Sequence, residues 1–271
     1  MNIESCNIEI LCVQLLPVHL HPEQSMEKVN LMLSKYGKAD ILILPEMAFS
    51  GYSFDDRAEI QAILEEPNQN FPTFNWCASQ AGRLGAYVFC GYPEKSSNDA
   101  YNSMMVISPE GSLIQNYRKK FLYKTDKTWA LEGDSFKSIS INIRGKSFKV
   151  GLGICMDINP YEFVAPFNSF ELASFWLSEN VDFCAFCTNW TTEDEDEGMQ
   201  LLNYWVGRMK PLIKDSTRKK RYFMAADRIG EERGIRYMGN SCVLELGPEC
   251  KLLARLGRYP EDVLKYSLRI D

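Results

Sequence analysis

The chain has 271 residues, enough for one large domain with a core that needs neither a disulfide nor a metal staple. Hydrophobic residues make up 45% and charged residues 24%, the balance of an ordinary soluble globular protein, and no apolar run is long enough to span a bilayer. A formal net charge of −6 argues against nucleic-acid binding. Residues 1–6 lack the basic and apolar regions of a secretory signal, and nine cysteines follow no framework spacing, so free thiols in the cytoplasm are expected.

Residues 8–15 read as a first strand, and Pro22 opens a helix that Gly37 ends. Residues 40–45 form a buried strand, 73–84 a helix closed by Gly85, and 86–92 another strand. Residues 102–108 and 112–117 form a hairpin about Pro109-Glu110-Gly111. A second hairpin joins 136–143 to 148–154 through Arg144-Gly145. A helix over 169–178 leads to a buried strand over 181–188. One long amphipathic helix is predicted over 199–214, then strands over 221–227, 240–246 and 252–256. Helix-separated strands mixed with hairpins imply a layered α/β fold with mixed pairing. No linker divides the chain, so residues 1–271 are expected to form a single domain. The basic run at 218–221 reads as a solvated helix end and the acidic run at 193–197 as a solvated loop.

Three predicted strands run into a reactive side chain. Residues 41–45 lead to Glu46, 113–118 to Lys119, and 147–154 to Cys155. The ends of strands in one sheet collect functional groups in a common crevice. The glycines at 151 and 153 permit close backbone approach before Cys155, and a sharp turn after it would project the thiol among backbone N–H groups. A thiol needs a positive neighbour or a base to react at neutral pH. Lys119 can supply the charge and Glu46 can take the proton. Only two histidines, His19 and His21, are present, neither at a strand end, which speaks against a Cys-His or Ser-His mechanism. Cys184 and Cys187 form a CxxC within an apolar strand, where they point to opposite faces and cannot chelate, so neither a metal nor another cofactor is expected.

The segments Leu44-Pro45-Glu46-Met47-Ala48-Phe49-Ser50-Gly51-Tyr52, Tyr117-Arg118-Lys119-Lys120-Phe121-Leu122 and Gly153-Ile154-Cys155-Met156-Asp157 resemble the Glu, Lys and Cys signatures of the nitrilase superfamily, in order and at comparable intervals. Thr188-Asn189-Trp190, the run Met224-Ala225-Ala226-Asp227-Arg228-Ile229-Gly230 and Gly239-Asn240-Ser241 resemble later signatures, the second a strand end that is usually Ala-Asn-Arg-x-Gly. The resemblance covers nearly the whole chain and implies an αββα sandwich: two mixed β-sheets flanked by helices. The stretches 117–126 and 155–167 are most similar to the branch that deamidates N-terminal Asn or Gln of proteins and feeds an N-degron pathway. Asn159-Pro160 replaces the Arg-Phe usual in small-amide hydrolases.

That resemblance implies Glu46, Lys119 and Cys155 as the catalytic residues, the Met156 N–H as an oxyanion donor, and Asp126 as a second site carboxylate. A protein N-terminus as substrate requires an acid for its α-ammonium. Asp157, two residues past the nucleophile, is the first candidate and the acidic run 193–197 the second. Asn189 and Trp190 are placed as pocket residues. A homodimer is expected from the superfamily. Two rivals stay open: a small-molecule amidase, such as an ω-amidase or carbamoylase, and a non-catalytic scaffold subunit.

Overall fold

The structure, a computed structural model, describes residues 6–193 and 198–270. In chain order the first half runs β1 (Cys6–Gln14), α1 (Pro22–Leu33), β2 (Ile41–Ile43), α2 (Arg57–Ile60), α3 (Pro72–Leu84), β3 (Tyr87–Ser96), β4 (Asp99–Ile107) and β5 (Leu113–Arg118). The second half runs β6 (Ser138–Ile143), β7 (Lys146–Ile154), α4 (Glu171–Ser178), β8 (Phe183–Thr188), β9 (Thr191–Thr192), α5 (Met199–Arg208), α6 (Lys210–Ile213), β10 (Arg221–Asp227), β11 (Glu231–Glu232), β12 (Ile235–Tyr237), β13 (Cys242–Leu246), β14 (Lys251–Arg255) and β15 (Asp262–Ile270).

Two six-stranded mixed sheets carry the fold, in the orders β15-β1-β2-β3-β4-β5 and β14-β13-β10-β8-β7-β6. Alternate residues of each strand face opposite ways, so each sheet presents two apolar faces. The inner faces meet in a core that includes Ile10, Ile43, Phe89, Val150, Ala185 and Met224. The outer face of the first sheet packs on α1 and α3 through Val29, Leu33, Trp76 and Leu84. That of the second packs on α4, α5 and α6 through Trp176, Trp205 and Leu212. The layers are therefore helix, sheet, sheet, helix, the αββα sandwich that the resemblance implies.

Three local expectations are corrected. The predicted helix over 199–214 is two, α5 and α6, because Pro211 has no N–H to continue the ladder and begins a new turn instead. The strand predicted over 86–92 extends to Ser96 and forms a nine-pair hairpin register with β4. Strand β15 was not expected. It lies antiparallel to β1 along its whole length, with Lys265 facing Glu9 at 3.2 Å, so a partner near the other end of the chain decides its structure. Cys184 faces the helices and Cys187 the inter-sheet core, as alternation requires.

Candidate active site

Functional side chains converge where the two sheets' strand ends meet. Glu46 sits in a tight turn after β2, with Met47 at φ +49° and the Ala48 N–H donating to Gly91 O at 2.9 Å. A Cβ on Gly91 would lie 2.6 Å from Glu46 Cα, so only glycine lets β3 pass this close. Lys119 follows β5, its N–H donating to Asn102 O and its carbonyl accepting from the Gly133 N–H, both at 2.8 Å. Cys155 follows β7 at φ +40°, a left-handed conformation for a side-chain-bearing residue, and opens a 3-10 turn to Ile158. Such strain at a reactive residue is held only by its surroundings.

Glu46, Lys119 and Asp126 are fully buried. The Lys119 ammonium donates to Glu46 Oε1 and to Asp126 Oδ2, each at 2.6 Å. Asn102 Nδ2 bridges the same two carboxylates, donating to Glu46 Oε1 at 2.7 Å and Asp126 Oδ1 at 2.9 Å. Asp126 also accepts from the Tyr123 N–H at 2.8 Å and the Tyr52 hydroxyl at 3.3 Å. An ammonium has three protons. Two are engaged with the carboxylates, and the Lys119 charge also acts on Cys155. Glu46 Oε2 has no partner within the chain.

Burial drives the Glu46 carboxyl upward, and the Lys119 charge opposes this without cancelling it. Burial pulls the Lys119 ammonium down, but Asp126 and Glu46 together more than reverse that, so it stays protonated. Burial and the nearby Glu46 charge push the Cys155 thiol well up, while Lys119, the Thr188 side chain and the Asn189 N–H act the other way. The resting arrangement is a thiol beside a carboxyl group raised by burial and a permanent cation. A raised carboxyl next to a nucleophile is suited to shuttle its proton.

The thiol lines a cavity of about 120 Å³ whose walls include Tyr52, Tyr123, Met156, Asn159, Phe163, Asn189 and Trp190. Trp190 is braced by Tyr204 and Trp205, each ring 5.6 Å away. The Tyr204 hydroxyl donates to Asn159 Oδ1 at 2.6 Å. Asn102, Tyr52, Tyr123 and Phe163 were not singled out in the sequence. Asn102 carried only a weak signal, a polar side chain beside Ser103 at the start of the apolar end of β4.

Asp157 is corrected. Its Oδ1 accepts from the Lys120 and Phe121 N–H groups at 3.0 and 2.9 Å, and its Oδ2 from the Tyr117 hydroxyl and the Ile154 N–H at 2.7 and 2.8 Å. With all four acceptor positions of its carboxylate used, it ties the Lys119 strand end to the nucleophile turn and is not free for a substrate ammonium. Of the acidic run, Glu193 is exposed and residues 194–197 lie outside the described residues. His19 rests against Phe54, Glu59 and Glu232, away from the cavity. Among the described residues no cluster of His, Cys, Asp and Glu has metal-binding geometry.

A buried base, a locked cation and a cysteine at a strained turn between two sheets define a hydrolase that acts on amide carbon–nitrogen bonds by way of a thiol. Residues 10–170 match the carbon–nitrogen hydrolase family, and the chain belongs to it. Among curated relatives, the protein N-terminal amidase of Schizosaccharomyces pombe is 32% identical over 87% of this chain and 90% of its own. The Saccharomyces cerevisiae protein N-terminal amidase is also 32% identical, over 73% of this chain and about half, 48%, of its own length. Crystal structures of an N-terminal amidase with Asn-Glu-Ala and Gln-Val peptides share this fold at a TM-score of 0.89, covering 98% of both chains at 21% identity.

Proposed function

We propose that this chain, acting as a single domain, hydrolyses the side-chain amide of an N-terminal Asn or Gln in proteins or peptides, giving Asp or Glu and ammonia. The observation that carries the reading is the fully buried Glu46–Lys119–Asp126 network against Cys155, taken with the likeness to protein N-terminal amidases over most of both chains. In this reading Glu46 takes the Cys155 proton through its unpartnered Oε2, and the thiolate attacks the carboxamide carbon. The third Lys119 proton and the Met156 N–H receive the oxyanion. Glu46 passes its proton to the departing ammonia, leaving a thioester on Cys155. It then draws a proton from water, whose attack releases the acid and restores the thiol.

Asp126 fixes the Lys119 ammonium, and Trp190 and Asn189 wall the substrate. The small-amide alternative is disfavoured by Asn159, which holds Tyr204 where that class carries an arginine. A cytoplasmic or nuclear setting and homodimer formation belong to the same reading. The eight cysteines from Cys12 to Cys250 are free thiols, which supports a reducing compartment.

The test is mass spectrometry of peptides led by Asn, by Gln and by N-acetylated Asn, with Cys155→Ala alongside. Amide-to-acid conversion of the free-amine peptides alone, dependent on Cys155, is expected. Conversion of the acetylated peptide would move the reading to a general amidase. No conversion by folded protein would end it.

A further inference from the structure

With Asp157 occupied, the acid for the substrate ammonium has to be found elsewhere. Ile154, Cys187 and Ala226 lie opposite one another on β7, β8 and β10. The next residues, Cys155, Thr188 and Asp227, therefore form one row across the strand ends, and Thr188 and Asp227 are direct cross-strand partners. Asp227 is fully buried. Its Oδ1 accepts from the Trp190 N–H at 3.0 Å and the Arg228 N–H at 2.8 Å, while its Oδ2 has no partner within the chain. Neighbouring Asn189 lines the cavity, is 1% exposed, and has neither Oδ1 nor Nδ2 partnered. Buried polar atoms left in this state are uncommon and costly unless something other than the chain meets them. No cation of the chain makes a hydrogen bond or ion pair with Oδ2, although the Arg228 charge acts on Asp227 and its Nε and Nη1 are unpartnered. Arg228 Nη2 donates to Glu232 at 3.1 Å with its guanidinium 3.9 Å from the Tyr237 ring, and Lys119 is held by Glu46 and Asp126. The similar strand end of the superfamily carries Asn at this position, so this chain has an acid where an amide is usual, one that burial and the Glu46 charge push well up.

We propose that Asp227 Oδ2 receives the α-ammonium of the substrate's first residue, with Asn189 turned to the same end of the substrate. The inference deepens the function proposed above and rests on it. Adjacent strands are about 5 Å apart, so Asp227 stands roughly 10 Å from Cys155 along the row. Two side chains and the short aliphatic spacer between carboxamide and α-nitrogen, one methylene longer in Gln, bridge that span. A blocked or internal Asn brings no cation and leaves the carboxylate buried and unpaired, which selects against it.

The experiment compares kcat/KM for an Asn-led peptide and for its desamino counterpart, in which 3-carbamoylpropanoyl replaces Asn. It is run on wild type and on Asp227→Asn, whose Oδ1 still accepts from Trp190 and Arg228. Wild type is expected to favour the amine by about 100-fold, and the variant to shrink that ratio by about tenfold or more, chiefly through KM. A purely structural role would lower both substrates together, so an unchanged ratio in folded variant overturns the assignment. Should Asp227→Asn not fold, a crystal structure of Cys155→Ala with an Asn-led dipeptide decides. The ammonium nitrogen within hydrogen-bond reach of Asp227 Oδ2 supports the proposal, and its placement on another acid overturns it. Wild type inert on the amine peptide would take down the proposed function itself, and this assignment with it.

Discussion

The two sheets bring unlike strand ends together beside the cavity that Cys155 lines. The first contributes Glu46, Asn102 and Lys119, which with Asp126 form a network in which two carboxylates share one ammonium and one amide, and only Glu46 Oε2 and Asn102 Oδ1 are left over. The second contributes Cys155, Asn189 and Asp227, where a strained backbone and buried polar atoms are left without partners in the chain. The first sheet's end holds charge in a fixed place before any substrate arrives, which is what electrostatic catalysis requires. The second sheet's end is complete only when a ligand meets it. Chemistry and selectivity are thus divided between sheets, and substitutions on the two sides should fail in different ways.

The largest effect belongs to the nucleophile. Cys155→Ala removes a small side chain, so turnover should fall by at least about 10⁴-fold while thermal unfolding stays near wild type. A variant that kept its activity would sink the thiol mechanism. Lys119→Met should instead break both function and fold. It leaves Glu46 and Asp126 buried together without their cation, and removing one member of a buried ion pair costs about 3–5 kcal/mol. Urea unfolding reads the loss. A Lys119→Met protein as stable as wild type would show that the Lys119 network is not what holds this end together.

The contrast also explains what the sequence discloses. Glu46, Lys119 and Cys155 each sit one step past an apolar run, a local pattern that needs no knowledge of the fold. Asn102 lies mid-strand, and its role exists only because β4 crosses between the two carboxylates. Asp157 misleads for a related reason. Adjacency to the nucleophile suggests the pocket, but its side chain turns back over the 3-10 turn to meet N–H groups of a segment more than thirty residues away. Strand β15 is missed because its pairing with β1 joins the two ends of the chain. Asp227 reads as a variant of a strand-end signature until the register places it in line with Cys155.

Asp157 supplies the next test, one of pH. Burial raises its carboxyl from the ordinary 3.8 to about 6, against the pull of the Tyr117 hydroxyl and the Phe121 and Ile154 N–H groups. The folded protein therefore keeps a proton that the unfolded chain has released. The stability this contributes is full below pH 3.8 and is lost as pH rises through about 6, a fall of about 3 kcal/mol. Asp157→Asn should remove that slope in urea unfolding across the interval. It should also lower kcat by about 10²-fold, because an amide accepts from fewer of the four donors and the two sheets' strand ends lose their tie. An unchanged slope in the variant would assign the titration to another group.

The smallest effects separate packing from chemistry within β7. Neither Gly151 nor Gly153 has a positive φ, so what each needs is space. A Cβ on Gly151 would lie 2.3 Å from Trp176 Cδ1, in the middle of a ring that itself donates to Leu152 O at 3.3 Å. On Gly153 the nearest atoms are Leu172 Cδ2 and Trp176 Cζ2 at 3.0 Å, rim atoms that a small rotation displaces. Overpacking of this kind costs about 1–3 kcal/mol, and Gly151→Ala should fall at the upper end and Gly153→Ala at the lower. Activity should rank the other way. Gly153 lies two residues from Cys155, and any shift of β7 there moves the thiol relative to Glu46. Thermal unfolding and kcat measured on both variants read the two orders. Matching orders would mean that strain in β7 spreads evenly along the strand, and the nucleophile turn would then be no more sensitive than the rest of the sheet.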